Sequence, residues 1–330
     1  MSEQNDIRVS AVIPAYNAAA CIGRAIESVL NQSLPVYEIV VVDDGSSDKT
    51  SEIVEQFGDK VILIRQDNAG VSVARNTGIK AASGDWIAFL DDDDIWFDEK
   101  NASQMAVIEN NPELRWCASN YYRGYEDRRS AVGNQSRICK GLAGKDYFDN
   151  FFIASVNQGC QAQTQTMMIR KDVFDELGGF EPGRIRSQDL DVWWRIGHRY
   201  PKIGYVAEPL AMMYLDEHVD TLTARRVNEK HGVGVRELVA RHLELADKAG
   251  TGREFRPFAA AELKRRLRSM LFNGFGEDAR VTLRDFGFLF SWYVRWGGRL
   301  LATFPKATSA GMRSISWFKH AAGLNRKVTR

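Results

Sequence analysis

The chain has 330 residues, 44% of them hydrophobic, enough to bury a substantial core as one large domain with an appendage. Four cysteines with no CxxC pair exclude a zinc site or a disulfide frame, and the absence of an uninterrupted apolar run of membrane-spanning length excludes a spanning helix. The formal charge of +1 conceals a split: residues 1–224 carry 22 Lys/Arg against 34 Asp/Glu and residues 225–330 carry 22 against 9, so an acidic body bears a basic tail suited to an anionic partner.

The polar N-terminus lacks the apolar core of a signal peptide, so a cytoplasmic or membrane-peripheral location is expected. Val9 to Ile13 is a β-branched run stopped by Pro14 and reads as a first strand. Ala15, Tyr16 and Asn17 follow, then an amphipathic helix with Ile22, Ile26, Val29 and Leu30 on one face. Glu38 to Val42 is a second strand running into Asp43 and Asp44, with Gly45 turning the chain and Ser47 or Asp48 capping the helix of Ile53, Val54 and Phe57. Val61 to Ile64 is a third strand. A loop then enters a helix at Ala74, Arg75, Asn76, Thr77 and Gly78, and Trp86 to Leu90 reads as a buried strand.

That strand ends in four consecutive carboxylates, Asp91 to Asp94. Four like charges at a strand end are costly unless a cation binds, and carboxylates at alternate positions, Asp91 and Asp93, converge on one hard divalent ion. A calcium loop of the EF-hand kind is disfavoured because Trp96 stands where its glycine belongs. Alternating strands and helices predict a parallel sheet flanked by helices, in which ligands bind beyond the carboxyl ends of the strands. Tyr16, Asn17, Asp43, Asp44, Arg75 and Asp91 to Asp94 all fall there. No GxGxxG follows the first strand and no GxxxxGK[ST] occurs, which disfavours an ordinary dinucleotide fold or a P-loop.

Farther on, Gln165 to Arg170 reads as a strand and Lys171 to Leu177 as a short helix closed by Gly178 and Gly179. A second helix starts near Ser187, read as its cap, with Gln188 and Asp189 in the first turn.

Together Ile13-Pro-Ala-Tyr-Asn17, Val42-Asp-Asp-Gly-Ser-Ser-Asp48, Ala74-Arg-Asn-Thr-Gly78 and Phe89-Leu-Asp-Asp-Asp-Asp94 resemble the family 2 glycosyltransferases, inverting enzymes of the GT-A fold. The resemblance spans roughly residues 7–220. It implies an α/β fold with a mostly parallel central sheet flanked by helices, a GT-A domain at 1–224 and a C-terminal α-helical extension at 225–330. It implies transfer of one sugar from a nucleoside-diphosphate sugar, UDP-linked above all, to a glycan or lipid-linked acceptor in envelope or exopolysaccharide synthesis. Pro14, Ala15, Tyr16, Asn17, Asp43, Asp44, Arg75, Asp91 and Asp92 would address the donor. Asp93, Asp91 and His218 would hold Mg²⁺ or Mn²⁺, and Asp189 would be the catalytic base. Two features depart from the pattern: Gln188 replaces the usual Glu, and His218 comes one residue late with Leu215 in place of an Arg. A sugar nucleotidyltransferase and a non-catalytic sugar-nucleotide binder remain as alternatives, the first disfavoured by the lack of a Gly-rich loop near the first strand.

The tail is helical and aromatic. Ala259, Leu263, Leu267, Met270 and Leu271 make an apolar stripe, and Val281 to Phe304 interleaves aromatic residues with Arg284, Arg295 and Arg299, a pattern repeated by Met312, Ile315, Phe318 and Ala322. Such helices either pack on the body or form an oligomer, or lie on an anionic membrane surface. No nucleic-acid-binding module is recognisable, so nucleic acid is not an expected partner.

Overall fold

A computed structural model describes residues 7–125, 127–184, 187–215 and 233–312. The chain divides into two compact units, Met1–Val219 and Asp220–Arg330.

The first unit is a mixed sheet with helices. Its strands are β1 (Val9–Ala15), β2 (Glu38–Asp43), β3 (Ile62–Arg65), β4 (Trp86–Phe89), β5 (Ile95–Trp96), β6 (Trp116–Gly124), β7 (Arg129–Ala131), β8 (Tyr147–Phe148), β9 (Met168–Arg170) and β10 (Ile203–Tyr214). Its helices are α1 (Ile22–Leu30), α2 (Thr50–Glu55), α3 (Val71–Ala81), α4 (Lys100–Asn110), α5 (Gln135–Leu142), α6 (Phe151–Asn157), α7 (Asp172–Leu177) and α8 (Gln188–Arg199). The strand order is β3-β2-β1-β4-β9-β6-β10-β5, with β7 on β6 and β8 on β10. The first four strands are parallel, β9 is antiparallel to both β4 and β6, and β10 returns parallel to β6.

Every residue of β1 is buried, as expected of a strand flanked by parallel neighbours and covered on both faces. Pro14 does not stop it; the strand continues to Ala15. The register explains why. Leu90 N–H donates to Val12 O, so the even-numbered residues of β1 turn their backbone groups toward β4, and β4 pairs β1 no further than Val12. The N–H that proline lacks therefore falls where no neighbour needs it. In β2, Asp43 lies opposite Ala15, so β1, β2 and β4 deliver their carboxyl ends to one edge.

Helix α3 explains the Ala74–Gly78 motif residue by residue. Ala74 is buried. A Cβ on Gly78 would stand 2.4 Å from Val12 Cγ1, so the glycine lets the helix lie directly on β1. Asn76 clamps a distant loop, its Nδ2 donating to Phe180 O at 2.7 Å and its Oδ1 accepting from Phe180 N at 2.8 Å. Thr77 Oγ1 donates to Gln66 Oε1 at 2.7 Å.

Between β5 and β6, Lys100 is wholly buried. Its ammonium reaches Gln104 Oε1 at 2.6 Å and sits 4.0 Å from the Trp96 ring centre. Burial pushes its pKa down to about 7, with Cys117 opposing the fall.

The second unit holds α9 (Val233–Ala249), α10 (Gly252–Phe272), α11 (Gly276–Asp285) and α12 (Trp292–Thr303). The expected stripe on α10 is its core face: Ala259, Leu263, Leu267, Met270 and Leu271 are all buried, joined by Phe255 and Phe258. The aromatic stretch from Val281 is not one helix. It breaks at Phe286 into a 3₁₀ turn, Gly287–Leu289, before α12. Of the last repeat, Met312 is described, whereas Ile315, Phe318 and Ala322 lie outside the described residues.

Candidate active site

Each predicted site residue can be followed to its place at the carboxyl edge of β1, β2 and β4. Pro14 and Ala15 end β1, and Tyr16 follows with its ring exposed and its N–H donated to Asp92 Oδ2 at 3.1 Å. Asn17 adopts a left-handed φ of 51°, which asparagine tolerates better than most side chains. It stitches the two loops together, accepting from Ser47 N at 2.8 Å and donating its own N–H to Ser46 Oγ at 2.9 Å.

Asp43 and Asp44 are both buried and turned to internal partners. Asp43 accepts from Ser46 N at 2.9 Å and from the Ser51 hydroxyl. Asp44 accepts from Gln66 Nε2 at 2.6 Å, Ala69 N at 3.0 Å and Gly70 N at 2.8 Å, fixing the loop that enters α3. Gly45 turns the chain just after them at a φ of 75°, where a Cβ would meet Asn68 N at 2.8 Å. Asp48 contributes to starting α2 by accepting from Thr50 N at 3.0 Å. Ser187 takes the N-cap position of α8, its carbonyl accepting from Asp191 N at 3.1 Å, but at a φ of 56° its side chain makes no capping hydrogen bond.

The four aspartates divide their work. Asp91 meets the Arg75 guanidinium at 2.5 Å, Asp92 turns back to Tyr16, and Asp94 is buried and accepts from Tyr214 N at 3.1 Å, tying the turn to β10. Asp93 remains partly exposed, and its backbone carbonyl accepts from Arg24 Nη2 at 3.2 Å. The Arg24 guanidinium also stacks 3.9 Å from the Tyr214 ring centre.

Burial, then the charge of Asp93, lifts Asp92 to about 8; burial, then Asp91, lifts Asp93 to about 6; Asp94 is raised for the same reasons. Such a cluster carries negative charge in excess of its one buried cation. Arg75 is that cation. Its Nε and Nη1 are buried without a hydrogen-bond partner among the described residues, and its guanidinium lies 5.1 Å from the Phe180 ring centre.

Asp189 stands in the first turn of α8, within electrostatic reach of Arg75 and Asp91. Burial raises its pKa, and Arg75 opposes the rise. The helix is held in place by Arg195, which bonds Asp191 Oδ2 at 3.0 Å, Gly178 O at 2.9 Å and Gly179 O at 2.6 Å, and by Trp193, packed 5.9 Å from Phe180 and 6.3 Å from Phe89. Arg24 carries no signal in the sequence beyond its residue type, because its partners Asp93 and Tyr214 lie far away along the chain. His218 lies outside the described residues.

Asp91 and Asp93 supply hard carboxylate oxygens, the donors that Mg²⁺ and Mn²⁺ take together with water and phosphate oxygens. Among the described residues no three His, Cys, Asp or Glu side chains gather closely enough to hold a metal ion by themselves. The pair fits an ion whose other ligands come from a bound diphosphate.

The glycosyl transferase family 2 profile matches residues 10–178, just over half of the chain. The chain belongs to glycosyl transferase family 2. Within the family, it is 37% identical over 194 residues to the Escherichia coli UDP-Glc:alpha-D-GlcNAc-diphosphoundecaprenol beta-1,3-glucosyltransferase WfgD, covering 58% of this chain and 70% of that one. It is 31% identical over 224 residues to the amylovoran biosynthesis glycosyltransferase AmsB of Erwinia amylovora, covering 64% and 70%. It also matches an uncharacterized glycosyltransferase of Rickettsia typhi at 31% identity over 196 residues, 57% of this chain and 58% of that one, so the chain spans little more than half the length of some family 2 relatives. In structure it is similar to S. aureus TarS 1-349, crystallised with UDP-GlcNAc, at a TM-score of 0.69 and 16% identity, over 93% of this chain and 92% of that one. That likeness bears on the fold, which is the α/β GT-A arrangement the motifs imply.

Proposed function

We propose that this chain transfers a single sugar from a UDP-sugar to an acceptor hydroxyl, with inversion at the anomeric carbon, in cell-envelope or exopolysaccharide assembly. The observation that carries the reading is the partly exposed pair Asp91 and Asp93 at the carboxyl edge of the parallel strands, with Arg75 against Asp91 and Asp189 within electrostatic reach. A UDP-linked donor and a lipid-linked acceptor are favoured by the specificity of WfgD, and the donor also by the UDP-GlcNAc held by TarS. Catalysis belongs to residues 1–224, and the helical region 225–330 is an accessory.

The exposed Tyr16 ring offers the uracil a flat apolar face, and the loops fixed by Asn17, Asp43 and Asp44 shape the nucleotide side of the cleft. Asp91 and Asp93 would hold a divalent ion against the donor's phosphates; when bound, it supplies Lewis-acid stabilisation of the charge growing on the departing UDP. Asp189 accepts the acceptor's hydroxyl proton as its oxygen bonds to the anomeric carbon from the face opposite UDP. The C–O bond to the diphosphate breaks with its electron pair, and UDP leaves. A carboxylate is a sufficient base because the hydroxyl becomes acidic only as the new bond forms. Arg75 holds Asp91 in place through their ion pair, and tempers the rise in the Asp189 pKa.

Thermal shift with UDP, with and without Mn²⁺, on wild type and Asp93→Ala tests the donor site. Stabilisation that needs Mn²⁺ and vanishes in Asp93→Ala is expected. Equal stabilisation without the ion would overturn the metal assignment, and none at all would overturn the donor.

A further inference from the structure

The helix α12 is packed the wrong way round for a soluble protein. Its small residues Gly298 and Ala302 face inward, and a Cβ on Gly298 would stand 2.9 Å from Leu283 Cδ1, so the close approach depends on glycine. Its large residues face water: Trp292 is 68% exposed, Trp296 67%, Leu300 66% and Tyr293 59%. At 100° per residue these four span about a quarter of the helix circumference, on the side opposite Gly298 and Ala302. Phe288 before the helix and Phe304 after it are equally open. Monomeric soluble proteins rarely leave so many large apolar side chains together in water.

The charges beside this face name its partner. Arg295 and Arg299 are exposed along one edge of it. No Asp or Glu follows Asp285, and the last 45 residues carry eight Lys/Arg. A two-fold contact between copies would bring these uncompensated cations toward their own images, which disfavours a second copy. A nucleic acid offers nothing to Leu300 or to a continuous apolar ridge. Trp and Tyr with flanking Arg on a surface helix is the composition that seats in the interface of an anionic bilayer. Among the described residues no helix is long and apolar enough to cross a membrane, so the contact is with its surface.

We propose that the Trp292/Tyr293/Trp296/Leu300 face of α12, edged by Arg295 and Arg299, docks the chain on an anionic lipid bilayer. The proposal stands apart from the sugar-transfer reading, since it rests on the helical unit alone. Flotation of the full chain with vesicles of phosphatidylcholine, with and without phosphatidylglycerol, tests it. Wild type should float with the anionic vesicles and not with the neutral ones. Trp292→Ser/Trp296→Ser/Leu300→Ser should stay at the bottom of the gradient. Arg295→Gln/Arg299→Gln should bind about 30-fold more weakly, about fivefold for each charge near the surface. All five positions are exposed, so the variants should melt with wild type, and that is checked first. Three results would overturn the proposal: no flotation of wild type, flotation of the apolar triple variant equal to wild type, or a wild-type dimer in sedimentation velocity that the triple variant turns into a monomer. The last would give the face to a second copy.

Discussion

Replacing Arg75 with Met removes the cation around which the carboxylate cluster is balanced while keeping much of the side chain's bulk. The guanidinium side chain is 5% exposed and lies 2.5 Å from Asp91 Oδ1. Removing one partner of a buried pair costs about 3–5 kcal/mol, because the other charge is stranded. Asp91 keeps 30% of its exposure, so water recovers part of this, and a loss of about 2–3 kcal/mol is expected. Urea denaturation near neutral pH measures it as a lower midpoint with an unchanged slope. The decisive comparison is a double-mutant cycle with Asp91→Asn. That single change strands the guanidinium, whose Nε and Nη1 already lack hydrogen-bond partners among the described residues. The double variant should therefore be more stable than the two single losses added together, by about 1 kcal/mol or more. Additivity within about 0.3 kcal/mol would refute the pairing.

Three further outcomes follow from the same geometry. The acid limb of kcat/KM should lie above the ordinary carboxylate range, because burial raises Asp189 and only its ionised form accepts the proton; Arg75→Met should move that limb to still higher pH, since Arg75 opposes the rise. A limb that stays put in Arg75→Met would break the link between the two residues. Gly78→Ala should lower stability by about 1–3 kcal/mol, because its methyl group meets Val12 Cγ1 at 2.4 Å, and a calorimetric melt unchanged from wild type would show that α3 does not rest on β1 as described. Lys100→Met should raise the melting temperature most at and below about pH 7 and less as pH climbs toward 10. The sign follows from proton counts: the folded pKa is depressed to about 7, so between there and the unfolded value the unfolded chain holds the extra proton and wild type gains stability with rising pH. An advantage for Lys100→Met that grows with pH would contradict the burial of that ammonium.

What the sequence reveals of this fold is what its local patterns can encode. The parallel strands β1, β2 and β4 were legible because strands buried on both faces are continuous β-branched or apolar runs, and their carboxyl ends name the site edge directly. Pro14 misled for a physical reason: whether a strand tolerates proline depends on where its neighbour ends, which is a tertiary fact. The middle of the chain was opaque for a related one. Strand β10 bulges on either side of Pro209 and keeps no period long enough to read, while the strand expected at Gln165 to Arg170 is realised only as β9, after a 3₁₀ turn at Thr164–Thr166. In the site, four consecutive aspartates announced a cluster, but not that Asp92 and Asp94 would accept from the backbone of Tyr16 and Tyr214 while Asp91 paired with Arg75. Asp43 and Asp44 read as ligand contacts, and the structure shows them as hydrogen-bond acceptors that shape the loops. In the tail, the aromatic and basic residues were plain, but which of them face water depended on Gly298 and Ala302 facing inward in α12.

Asp189 as the base is tested most directly by comparing wild type with Asp189→Asn for sugar transfer from UDP-sugars to a polyprenyl-diphosphate-linked sugar, alongside UDP binding by calorimetry. The amide keeps the shape and cannot take the proton, so transfer should fall by about 10²–10⁴-fold while UDP binds as it does to wild type. Transfer by Asp189→Asn within about tenfold of wild type, with UDP binding intact, would contradict it and send the search for the base elsewhere along the cleft.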